Sequence, residues 1–128
     1  MRLLLDTHVL LWAVASSGRL APDVRSLIED PLNDVHYSAA SIWEIAIKSA
    51  LRRKDFQVDL ALLRSSLRAM DLAELPVTAE HAVGVTDLPP IHRDPFDRLL
   101  VAQSIAELMV LLTNDAVLAR YGPVVRVV

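Results

Sequence analysis

Four acidic residues, Asp6, Glu44, Asp97 and Asp115, stand at the ends or in the middle of apolar runs: "LLLD", "SIWEIAI", "DPFDRLL" and "VLLTND". An ionised carboxylate in such surroundings is costly unless a partner or a metal compensates it. Gathered in one place, the four would repel one another, raise one another's pKa values and weaken the fold unless cations bound among them. Hard oxygen donors without cysteine suit magnesium or manganese, which keep several waters and sit in sites completed by substrate phosphates. Two such ions about 4 Å apart can hold the attacking and leaving oxygens of an in-line displacement at phosphorus and supply hydroxide at neutral pH. The chemistry indicated is phosphodiester hydrolysis.

Taken singly, each acid has a plainer explanation. Aspartate is common in turns after strands, which covers Asp6 and Asp115. Glu44 can pair with Lys48 one helical turn on, worth only a few tenths of a kcal/mol. In "RDPFDR", Asp94 reads as an N-cap, Pro95 as the first helical residue and Asp97 as an acid facing the positive end of the helix dipole. The catalytic reading therefore depends on whether the fold brings these positions together.

The elements that would do so follow from the pattern along the chain. Leu3-Leu4-Leu5 is continuously apolar, as expected of a strand buried on both faces in a parallel sheet, and helical periodicity begins at Thr7. Pro22 opens a short helix to about residue 30. "DVHYSA" (34–39) reads as a second strand, with Ser38 or Ser41 starting the helix "SIWEIAIKSALRRK". Asp59 to about Met70 forms an amphipathic helix carrying Leu60, Leu63 and Leu67 on one stripe. "LAELPV" is a third strand, and Thr78 starts a helix ending near Gly84. Three prolines make 86–95 a loop. A helix from Pro95 to Leu108, a strand in "MVLLTND", a short helix over 116–120 and an edge strand in "PVVRVV" complete the chain. Such alternation predicts one domain over residues 1–128: an α/β fold with three α/β/α layers and a central, mostly parallel sheet of four or five strands. Its strand carboxyl ends lie on one edge, where ligands collect in such sheets. Asp6 and Asp115 fall there directly, Asp97 in the first turn of the helix leading into the fourth strand, and Glu44 one turn inside its helix.

Bulk properties are consistent with this. Hydrophobic residues form 53% of the 128 and mean hydropathy is +0.37, high enough to predict a covering subunit and hence a homo-oligomer. The net charge of −3 argues against a nucleic-acid binder that relies on an overall positive field, but acids gathered around metal ions would leave a local basic path possible. Without cysteine there is no disulfide, thiolate nucleophile or thiolate zinc site. The opening "MRLLLDTHVLLWAVASS" imitates a signal peptide, yet Asp6 and His8 break its apolar region, so a cytoplasmic protein without membrane contact is expected.

"LLLDTHVLLW", "SAASIWEIAIKSALRR", "RDPFDRLLVAQ" and "LLTNDAVLARY" together resemble the four motif blocks of PIN-domain nucleases, and closely those of VapC-type toxins from bacterial toxin–antitoxin pairs. The resemblance spans nearly the whole chain. It implies a ribonuclease using Mg2+ or Mn2+, a homodimer of toxin subunits, and a cognate VapB-type antitoxin that blocks the site. Carried over by position, Asp6, Glu44, Asp97 and Asp115 match the family's acids, the last being its most variable. Thr113 matches a hydroxyl often found beside the metal, Thr7 the position after the first acid, and Asp94 the first aspartate of the third block, kept here as a cap.

Flanking residues carry weaker expectations. His8 and His92 could contact substrate phosphate or move a proton, and Arg93 and Arg98 could position phosphate; for His92 and Arg93 a solvated loop position serves equally well. Lys48, Arg52, Arg53 and Lys54 could lead RNA to the site or simply complement the helix dipole. Trp12 and Trp43 are expected in the core or at a dimer contact rather than as base-stacking platforms. Two other readings compete: a catalytically inactive PIN-like module binding RNA or protein, and a phosphatase with Asp6 as nucleophile, which would need an acid where His8 stands.

Overall fold

A computed structural model describes residues 1–51 and 57–128. Five strands form one sheet: β1 (Arg2–Leu5), β2 (Asp34–Ser38), β3 (Ala73–Leu75), β4 (Val110–Thr113) and β5 (Val125–Val127). Every pairing is parallel, in the order β3-β2-β1-β4-β5. The sheet is thus wholly parallel, and β5 forms the edge beside β4. Among the described residues, six α-helices connect the strands: α1 (Thr7–Val14), α2 (Pro22–Glu29), α3 (Ala39–Ala50), α4 (Leu60–Ala69), α5 (Ala79–Gly84) and α6 (Pro95–Glu107). Among the described residues there are also two 3-10 turns, Val85–Asp87 and Ala116–Tyr121. Among the described residues, no helix is long and apolar enough to cross a membrane.

The leucine run of β1 separates by strand periodicity into two cores. Leu3 and Leu5 join Val9, Leu10, Val24, Ile28, Leu63 and Leu67, so α1, α2 and α4 cover one face. Leu4, pointing the other way, joins Leu100, Val101, Leu111 and Leu118 under α6. All three leucines are fully buried.

Helix starts follow local chemistry. Ser38, not Ser41, caps α3, its hydroxyl accepting the Ala40 N–H at 3.0 Å; Ser41 lies inside the helix and is buried. Thr78 caps α5 in a reciprocal box with His81. Asp59 caps α4, and the expected stripe holds: Leu63 and Leu67 are buried. The loop expected over 86–95 begins with the short 3-10 turn and becomes helical at Pro95.

Topology decides where a site can form. From β1 the chain moves through β2 to β3, then returns to place β4 on the other side of β1. Strand order therefore reverses between β1 and β4, and a crevice opens there at the carboxyl edge.

Candidate active site

Asp6 ends β1 at this switch point, its N–H bonded to the Leu112 carbonyl at 3.0 Å so that it stands beside the end of β4. It also caps α1: Oδ1 accepts the Val9 N–H at 2.8 Å, and Oδ2 accepts the Thr113 hydroxyl. Asp6 is buried, and burial raises its pKa above the usual carboxylate range despite the opposing bonds from Thr113 and Val9. The Thr113 oxygen accepts the Asp115 N–H at 3.0 Å, so one hydroxyl joins the two acids that end β1 and follow β4.

Glu44 projects from α3 and is 4% exposed. Its Oε1 accepts the Thr7 hydroxyl at 2.7 Å and its Oε2 meets Lys48 Nζ at 2.7 Å. The i,i+4 pair expected from the spacing is therefore present, and Lys48 faces Glu44. Thr7 also lies 3.0 Å from Ser41 Oγ; having given its one proton to the carboxylate, it can accept Ser41's.

Asp94 caps α6, its Oδ1 accepting the N–H groups of Phe96 at 2.8 Å and Asp97 at 3.3 Å. This holds Asp97 in the first turn with its carboxyl toward the same crevice. Burial is the main reason that the Asp97 carboxyl is pushed up to about 7; the charges of Asp94, Asp6 and Glu44 push the same way, and His92 opposes them. Asp115 caps the second 3-10 turn through Oδ1 and the Val117 N–H at 3.0 Å. Its Oδ2 is 2.8 Å from His92 Nε2, which also stands 3.6 Å from Asp97 Oδ2.

Asp6, Asp97 and Asp115 thus line one cleft of about 340 Å3, with His8, Asn114 and Ala116. Glu44 is not among the lining residues and acts on the group through its charge on Asp97. Oxygen donors from separate elements, with one carboxyl pushed up to about 7 by burial and, to a lesser degree, by the neighbouring acids, fit a hard divalent cation. Ligand atoms of His92, Asp97 and Asp115 lie within 4.8 Å of one another. His92 does not fit as a direct ligand, however. Its Nδ1 accepts the Asp94 N–H at 3.1 Å, so the neutral ring carries its proton on Nε2 and has no lone pair there to offer.

The arginines divide. Arg93 is exposed on the loop before α6. Arg98 points into that loop, donating to the carbonyls of Val85, Pro89 and His92 and to the phenol oxygen of Tyr121. Arg52, with Arg53 and Lys54, lies outside the described residues. His92 belongs to the site rather than to solvent, and Tyr121 beneath it had no distinguishing signal in the sequence. Trp12 packs against the first core, whereas Trp43 is 62% exposed and meets the Phe96 ring edge-on at 5.3 Å.

Comparison with solved structures shows the same fold in proteins of distant sequence. The chain is similar to VapBC2 from Rickettsia felis, solved bound to a DNA fragment from their promoter, with a TM-score of 0.71 at 18% identity over 100% of this chain and 98% of that one. It is similar to FitAcB from Neisseria gonorrhoeae, with a TM-score of 0.63 at 18% identity, covering 98% and 95% of the two chains. For VapBC-1 from nontypeable Haemophilus influenzae the TM-score is 0.62 at 14% identity, covering 100% and 97%. No curated protein matches the chain. The family model of the PIN domain matches residues 3–123, nearly the whole chain and all four acids, and the chain belongs to the PIN domain family.

Proposed function

We propose that this chain is an endoribonuclease dependent on Mg2+ or Mn2+, acting as the toxin of a toxin–antitoxin pair. The observation that carries the reading is the convergence of Asp6, Asp97 and Asp115 on one cleft at the switch point, with Glu44 behind them. Bound there, divalent cations would neutralise the substrate phosphate and lower the pKa of a water for in-line attack. The chain's own residues supply orientation: Thr113 and the Val9 N–H hold Asp6, Thr7 and Lys48 hold Glu44, and the Asp94 cap holds Asp97. Arg93, exposed on the loop before α6, is the proposed phosphate contact.

A VapB-type antitoxin is the proposed partner, in keeping with the VapBC proteins that share the fold. A groove of about 720 Å3 between α1 and α4, lined in part by Leu11, Trp12, Leu62 and Leu63, suits an apolar segment of it. His8 lines both this groove and the acidic cleft, so an occupant of the first can reach the second. Trp43, Ile47 and Leu51, spaced four residues apart and 62%, 37% and 67% exposed, offer a stripe for homodimer contact.

The inactive-module reading has one observation in its favour, the engagement of both Glu44 oxygens by Thr7 and Lys48. Mapping RNA 5′ ends after induced expression separates the two. The nuclease reading expects new ends in cells making the wild-type chain and none with Asp97→Asn; identical profiles overturn it.

A further inference from the structure

We infer that His92 is a positioning residue that aims the Asp115 carboxylate at the cation site, an inference that rests on reading the acids as metal ligands. The other held acids have a donor on each oxygen: Asp6 from Val9 and Thr113, Glu44 from Thr7 and Lys48. Asp115 has the Val117 N–H on Oδ1 and, on Oδ2, His92 Nε2 at 2.8 Å. With one donor on each oxygen, the carboxylate plane is fixed while a lone pair on each oxygen stays available to a cation.

The imidazole is itself held from both sides. The backbone N–H of Asp94 donates to Nδ1 at 3.1 Å, which sets the tautomer that donates from Nε2. The N–H of His92 donates to Tyr121 Oη at 3.0 Å, and Arg98 donates to the same phenol oxygen at 3.1 Å. Arg98 also ties down the carbonyls of Val85 and Pro89, so a proline-rich segment without regular backbone pairing is pinned against α6 and the end of the second 3-10 turn. Asp94 thereby serves twice: its carboxylate caps the helix that carries Asp97, and its N–H orients the ring that holds Asp115. Such hydrogen bonds join the loop before α6 to the turn after β4, and His92 makes the bond that reaches a carboxylate of the cleft.

Titration calorimetry with Mn2+ on the purified protein tests this without reference to RNA cleavage. His92→Ala should weaken Mn2+ binding by about ten- to a hundredfold, with His92→Gln, whose amide N–H can still donate, recovering part of the loss. Combining His92→Ala with Asp115→Asn should weaken binding no further than Asp115→Asn alone, because the histidine acts through that carboxylate. Tyr121→Phe, which keeps the ring and removes the oxygen that accepts from the His92 N–H and from Arg98, should give a smaller loss in a protein whose melting is little changed. Wild-type affinity in His92→Ala, tighter binding, or losses that add in the double variant would overturn the inference alone. A wild-type chain that does not bind Mn2+ would overturn the metal-site reading and the inference with it.

Discussion

Replacing Asp97 with asparagine should stabilise the metal-free protein above neutral pH while removing its response to metal. The folded chain holds the Asp97 proton far more tightly than the unfolded chain, with the pKa moved from 3.8 to about 7. Between about pH 4 and pH 7 the unfolded state has lost that proton and the native state has not, so wild-type stability falls as pH rises through this window. At roughly 1.4 kcal/mol per pH unit the ceiling is about 4 kcal/mol, reached above pH 7. The Asp97 side chain is 23% exposed, and the ionised form gains up to about 1 kcal/mol from the helix dipole, so about 2 kcal/mol is expected. For a chain of this length that is roughly 6 °C in Tm. Asparagine has nearly the same shape and does not ionise. Thermal melts in EDTA should therefore show Asp97→Asn exceeding wild type by a small margin at pH 5 and by the full amount at pH 8. Saturating Mg2+ should raise the wild-type Tm and leave the variant unmoved, since only a ligand of the native state stabilises it. A variant less stable than wild type at pH 8, or a difference that stays constant from pH 5 to pH 8, would refute the burial and crowding of the Asp97 carboxyl on which the site is argued.

Further outcomes follow from the same geometry. Metal must displace the Asp97 proton, so apparent Mn2+ affinity measured by calorimetry should fall by up to about tenfold per pH unit below pH 7. Asp94→Ala should cost about 1 kcal/mol in denaturant melts through loss of the cap, whereas Asp94→Asn keeps the cap, removes a charge that raises Asp97, and should lower the pH at which metal binding sets in. Trp43→Glu should shift light-scattering mass toward a single chain while leaving the fold, read by circular dichroism, unchanged.

Much of the architecture was legible because it is decided locally. A triple leucine that must serve two cores, a proline at the first turn of α6, and hydroxyl or carboxylate caps at Ser38, Asp59, Thr78 and Asp94 are each readable within a few residues. The four acids stood out for the same reason, since a charged group next to an apolar run calls for an explanation, whereas Thr7 and Thr113 were singled out only by the resemblance to the PIN-domain blocks. What was not legible depends on partners distant in the chain. His92 meets Asp115 across 23 residues and Tyr121 across 29, and nothing within the proline-rich loop distinguishes a ring turned into the site from one in solvent. Arg98 looked like a phosphate ligand because it follows an acid in a motif; its commitment to loop carbonyls follows from how that loop folds back. Trp43 sits in an apolar helix, yet its exposure depends on which face α3 turns to α1 and α6, and that face is chosen by the buried Glu44 and Ile45.

The most direct test of the metal-dependent nuclease is incubation of purified protein with total RNA, with Mg2+ or with EDTA, comparing wild type with Asp6→Asn. Cleavage by the wild type only in Mg2+, absent in a folded Asp6→Asn protein and leaving ends without cyclic phosphate because water rather than the 2′-hydroxyl attacks, is the predicted result. Cleavage that persists in EDTA or in Asp6→Asn, or no cleavage of any RNA by the wild type, would contradict it.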